Sequence, residues 1–429
     1  MLPLILSTFI FIFCLFLIFS EKMNRTITSM AGAVIMVIIG LSLHFYTEDQ
    51  AAASIDFNTL GLLLGMMIII AILEPTGFFQ FLAVKMGRIS KGRPGRLLVL
   101  LGTITTVVSM FLDNVTTVVL IAPVTILMCE ILGVNSQPYL LAEALLSDTG
   151  GVATLVGDPP NILIGSAAGF TFSDFLTHSL PIVVIVWFTA LGILFLLFRK
   201  DLSVTPTDLD ALTELNPQDA FKDRQTARKT IIVIGFMILL FLFEDLLHIR
   251  PALVALGGAA AALVWVRPSI QETLKKVQWD VLIFFAALFV IIGGMEAAGV
   301  FKELTSLAIH IENLPPLWLG LIILWMVAIL SAFVDNVPIT IALIPVIQGL
   351  AATGIPTTAL WWALVFGAGF GGNGTIIGST ANIVVTTLSE KTRNPITPKL
   401  WNKRGLPVMI GTTFIASVLF ILLYGWLSK

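Results

Sequence analysis

Apolar runs about long enough to cross roughly 30 Å of hydrocarbon recur along this chain from end to end. They fall at 2–20, 27–45, 55–73, 97–132, 148–170 and 179–198, and again at 229–247, 252–266, 281–299, 316–353, 366–388 and 406–427. Four of them are not simple spans. Asp113-Asn114 splits 97–132, and Asp335-Asn336 splits 316–353, each into pieces that read as a helix, a tip and a second helix. Such re-entrant backbone is tolerated only where protein or water satisfies its freed polar groups. In 148–170, Gly157-Asp158-Pro159-Pro160-Asn161 stops any helix, because proline removes backbone donors. In 366–388, Gly378-Ser379-Thr380-Ala381-Asn382 does the same more softly.

The pattern is a duplication. Ser109-Met110-Phe111-Leu112-Asp113-Asn114-Val115 recurs 222 residues later as Ser331-Ala332-Phe333-Val334-Asp335-Asn336-Val337. Gly150-Gly151 and Gly157 to Ile162 match Gly371-Gly372 and Gly378 to Ile383 at an offset of 221, and Glu74, Gly77 and Asn58 match Glu296, Gly299 and Asp280 at 222. With each hairpin counted as zero crossings, each half crosses five times, so the second must enter the membrane upside down. The expected fold is an all-α polytopic membrane protein of two inverted repeats, with about ten crossings plus two hairpins. Residues 1–198 form the first repeat, 199–229 a cytoplasmic linker, and 230–429 the second.

Charge tests that topology independently. With Met1 outside, every basic residue of the 24 falls in an inner loop except Arg250, Lys302 and Lys429, as the positive-inside rule asks. At 57% hydrophobic and 12% charged, the chain has no room for a sizeable soluble domain, and its linker is polar, with Pro206, Asp208, Asp210 and Glu214. The first run lacks a basic start and a small-x-small cleavage site and reads as a retained helix. Cys14 and Cys129 both lie in apolar runs, which argues against a disulfide framework. The expected location is a bacterial-type cytoplasmic (inner) membrane.

Candidate chemistry gathers at the interruptions. A carboxylate in mid-membrane costs at least ~2.5 kcal/mol, so Asp113 and Asp335 persist there by binding a cation, carrying a proton or facing water. Asn114 and Asn336 supply amide groups without charge, Thr116, Thr117 and Thr340 add hydroxyls, and Asp158, Asn161, Ser379 and Asn382 come from the breaks. Sodium is expected at Asp113, Asn114, Asp335 and Asn336. A polar contact between helices explains one such pair, but two at equivalent positions point to a transporter's midplane site. Asp148 is a further acid beside the first break, and His44, His178, His248 and His310 fall near span ends. The hairpin cores and breaks hold no Lys or Arg, which disfavours a di- or tricarboxylate solute. With no phosphate loop and no nucleophile–base pattern, the chain is not expected to be an enzyme. No cofactor beyond H⁺ or Na⁺, and no nucleic-acid partner, is expected.

At these motifs the chain resembles the ion transporter superfamily, in the branch of arsenite permeases, sodium/proton antiporters of the NhaD type and the pink-eyed dilution protein. Phe111-Leu112-Asp113-Asn114-Val115-Thr116-Thr117 and Gly157-Asp158-Pro159-Pro160-Asn161 carry the likeness. The resemblance implies a citrate-transporter-like domain, a homodimer with scaffold and transport parts, and elevator-type alternating access. The expected function is secondary active transport, a proton- or sodium-coupled antiporter exporting Na⁺ or a neutral metalloid hydroxide such as arsenite. The alternatives are a sodium-coupled carboxylate symporter and an anion channel.

Overall fold

In the computed structural model, residues 1–19, 23–204, 216–301, 303 and 314–429 are described. Lys22, most of the linker (205–215), Lys302 and His310 lie outside them. The described chain is helical throughout, without a strand. The first half runs α1 (Leu2–Phe19), α2 (Arg25–Ser42), α3 (Phe57–Leu73), α4 (Phe78–Ser90), α5 (Pro94–Ser109), α6 (Asn114–Leu132), α7 (Gln137–Gly151), α8 (Pro159–Ala168) and α9 (Leu180–Leu197). The second runs α10 (Arg224–Leu242), α11 (Pro251–Val266), α12 (Trp279–Ala297), α13 (Pro316–Ser331), α14 (Asn336–Ala352), α15 (Thr358–Gly371), α16 (Thr380–Ser389) and α17 (Pro398–Leu422).

Local chemistry sets these boundaries. Proline opens α5, α7, α8, α11, α13 and α17 within the first two helical positions, where its missing N–H has no partner to lose. Asn24 caps α2 by accepting from Thr26 N at 2.8 Å. Gly77 (φ 78°) and Gly299 (φ 84°) end the third helix of each half in the left-handed region, at the same register of the repeat. A residue with a Cβ would be strained there.

The halves interlock. Within each, the first hairpin limb packs on the first limb of the broken helix, α5 on α7 and α13 on α15. Between them the pairing crosses over: α2 lies on α12 and α11 on α3, while α6 packs on α16 and α14 on α8. Each hairpin's second limb therefore rests on the other half's broken helix, and both tips are carried to the middle of the molecule.

Two features depart from the hydropathy reading. The broken spans begin at Gln137 and Thr358, earlier than 148 and 366; in the first of them Glu143, Ser147 and Asp148 interrupt the apolar pattern yet are fully buried. Helix α4 was not anticipated as an element. It turns Phe79 and Ala83 inward onto α5 and α6 and leaves Lys85 and Arg88 exposed, so it reads as loop on hydropathy alone. Among the described residues, seven helices are long and apolar enough to cross a membrane. One is α6, the second limb of the first hairpin, with Pro123 inside it.

Candidate functional site

Each tip is built by its own aspartate. Asp113 caps α6, accepting from Thr116 N at 2.8 Å and Thr116 Oγ1 at 2.5 Å. Asp335 caps α14, accepting from Val337 N at 3.1 Å, and also takes a hydrogen bond from Thr380 Oγ1 at 2.8 Å. A helix N-terminus offers free N–H groups and a favourable dipole to a carboxylate, so the acids that interrupt the apolar runs also begin the next helix.

Tip and break are tied together by a set of bonds that recurs in both halves. Ser109 Oγ donates to Ser147 O at 2.8 Å, and Ser331 Oγ to Ala368 O at 2.8 Å. Thr154 Oγ1 donates to Met110 O, and Thr375 Oγ1 to Ala332 O. Asn161 Nδ2 donates to Gly151 O at 2.9 Å and Thr154 O at 2.8 Å, and Asn382 Nδ2 to Gly372 O at 2.9 Å and Thr375 O at 3.0 Å. Gly157 and Gly378 make the closeness possible: a Cβ there would lie 2.5 Å from Gly151 O and Gly372 O, respectively. The sequence duplication is thus a duplicated hydrogen-bonded module.

Other bonds join the modules and do not recur. Asn336 Nδ2 donates to Asp158 Oδ2 at 2.8 Å, and Ser379 Oγ to Asp148 Oδ1 at 2.9 Å. Asp148 is fully buried, and its Oδ2 has no hydrogen-bond partner. Asn114 differs from Asn336, its Oδ1 accepting from Ser109 Oγ at 2.6 Å within its own half.

Between the tips lies a cavity of about 210 Å³. Asp113, Asn114, Asp335 and Asn336 line it together with Asp158 and Ser379, so six of the residues anticipated from sequence meet in one space. The others do not line it. Asn161 and Asn382 brace the breaks, Thr116 belongs to the Asp113 cap, Thr340 bonds Asn336 O at 2.9 Å, and Thr117 is fully buried. No three His, Cys, Asp or Glu among the described residues sit close enough to hold a metal ion. A sodium ion at the tips would draw on amide, hydroxyl and backbone oxygens beside any carboxylate.

The cavity also reaches residues that motif reading missed. Arg25, Gln278 and Asp280 line it from the starts of α2 and α12, and Thr380 lines it from the second break. Arg25 Cζ stands 5.5 Å from the centre of the Phe284 ring. A cation beside the tips corrects the premise, drawn from the motifs, that no basic residue is near. Asp280 carried a signal, as the repeat equivalent of Asn58, whereas Arg25 carried none because packing of α2 on α12 brings it in.

The citrate transporter family model matches residues 15–367. The chain belongs to this family. It is 36% identical to a 46 kDa membrane protein of Mycobacterium leprae over 98% of this chain and 99% of that one. It is also 36% identical to an uncharacterised transporter of Mycobacterium tuberculosis over 98% of both. The human P protein, the pink-eyed dilution protein, is 30% identical over 92% of this chain but 57% of its own length. Among solved structures, the YdaH transporter of Alcanivorax borkumensis superposes with a TM-score of 0.64 over 99% of this chain and 98% of that one, at 16% identity. That likeness supports the fold alone. This member of the citrate transporter family is an integral membrane transporter.

Proposed function

We propose that the protein is a proton- or sodium-coupled secondary transporter in which solute and coupling cation meet in the cavity between the tips. The observation that carries the reading is the convergence of Asp113, Asp158 and Asp335 on one cavity, with two of them at repeat-equivalent positions on opposite halves. Inverted repeats around a shared site suit alternating access, here by elevator-type movement of the tip-and-break modules, in a homodimer.

On the acids alone, the solute is Na⁺ or a neutral metalloid hydroxide such as arsenite, exported in exchange for protons. A second solute class, a small carboxylate carried together with cations, is favoured by Arg25 on the cavity wall and agrees with the family's description. The test is collapse of a pH gradient in proteoliposomes of the full chain, with Na⁺, Li⁺, K⁺, arsenite, silicic acid and citrate added singly. A saturable response to one solute is expected. Unitary current steps without saturable exchange would replace the transporter by a channel.

A further inference from the structure

The cavity at the tips has a counterpart. A second cavity of about 500 Å³ is lined by Asp56, Asn58, Leu155, Ile162, Glu244 and Arg250, among others. The repeat relates the two. Asn58 corresponds to Asp280, and at the same offset Asp56 corresponds to Gln278, so the equivalent ends of α3 and α12 each line one cavity.

A hydrogen bond also joins the neighbouring helices at each end, made by different groups. Thr26 Oγ1 at the start of α2 donates to Asp280 O at 3.0 Å, and Ala252 N at the start of α11 donates to Asn58 Oδ1 at 3.1 Å. Just before each contact stands an arginine: Arg25 is the first residue of α2, and Arg250 directly precedes α11. In an inverted repeat, equivalent positions lie at opposite ends of the molecule. One arginine therefore marks each end of the same path.

Neither arginine forms an ion pair among the described residues. Of the acids that line the cavity with Arg250, Asp56 accepts from Asn58 N at 2.9 Å and Thr59 Oγ1 at 2.6 Å, and Glu244 Oε1 accepts from Phe172 N at 2.7 Å. Arg250 is also one of three basic residues that the charge rule leaves on the outer side. A guanidinium presents a planar fork of donors that matches a carboxylate in two-point contact.

The two ends differ in one respect. Ile162 lines both cavities and separates the second from the tips. It is 4% exposed, whereas its repeat equivalent Ile383 is 37% exposed. The cavity at the tips reaches Arg25, whereas Arg250 lines only the second cavity, which holds none of the tip residues.

We propose that Arg25 and Arg250 are equivalent anion-receiving positions, one at each mouth of the path, which take the carboxylate of the solute on its way to and from the tips. This rests on the carboxylate reading of the site. The test uses labelled citrate and succinate with inside-out and right-side-out membrane vesicles carrying the full chain, under fixed proton and sodium gradients. Arg25→Gln is expected to raise KM roughly tenfold or more at the cytoplasmic face, with a much smaller change at the other. Arg250→Gln is expected to do the reverse. Arg25→Lys and Arg250→Lys are expected to recover part of each loss, since an ammonium keeps the charge without the fork.

If the wild type takes up neither probe while exchanging cations, the carboxylate reading fails and the inference with it. If the wild type transports a probe and both glutamine variants keep its KM at both faces, the inference alone is overturned. Equal losses at both faces would also overturn it, by showing a structural role.

Discussion

Asn161 and Asn382 separate two kinds of role with one substitution. Each is buried, at 2% and 0% exposure, and each directs its Nδ2 at two carbonyls of its own break. Asn161→Asp and Asn382→Asp keep the shape but remove the donors. A buried acceptor left unpaired costs ~1–3 kcal/mol, so two per variant give about 2–6 kcal/mol before any cost of the added charge. That is a large part of the ~5–15 kcal/mol by which native proteins are typically stable. The assay is the thermal midpoint of the detergent-solubilised full chain, followed by fluorescence-detected size exclusion, with transport measured per folded molecule. Both variants are expected to melt well below the wild type, and by similar amounts because the bonds are equivalent. A variant that melts with the wild type but no longer transports would refute the bracing role and make the amide a solute ligand.

Other substitutions probe the module and the path. Gly157→Ala and Gly378→Ala place a Cβ 2.5 Å from a backbone oxygen, and overpacking of this kind costs ~1–3 kcal/mol, so reduced folded yield is expected from both; wild-type yield would show that the breaks can open. Ile162→Ala thins the barrier between the cavities and is expected to speed the collapse of an imposed sodium gradient without added solute. Ile383→Ala, at an exposed position, is expected to leave the gradient intact, and equal leak from both would contradict the assignment of Ile162.

The fold was legible because the same residues interrupt hydropathy and organise structure. Asp113 and Asp335 stand out as charges in apolar runs and turn out to cap α6 and α14, so one signal reported both the tips and the cavity between them. The duplication gave the register, and with it the pairing of Gly157 with Gly378 and Asn161 with Asn382. Role was harder to read than position. An amide donates as readily as it accepts, and nothing local showed that both Asn161 and Asn382 would donate to backbone. Arg25 lies some ninety residues before the first tip and reaches it only through the packing of α2 on α12. The first limb α7 was cut short because Glu143 and Asp148 resemble loop residues until their burial is seen.

The central claim is that the tip carboxylates couple the solute to a cation, and Asp113→Asn and Asp335→Asn test it directly. Asparagine caps a helix about as well as aspartate, so α6 and α14 keep their starts while the ionisable group is lost. In proteoliposomes with an imposed pH gradient, the folded variants are expected to lose solute-dependent proton or sodium movement that the wild type shows. Wild-type coupled transport by both variants would contradict the account.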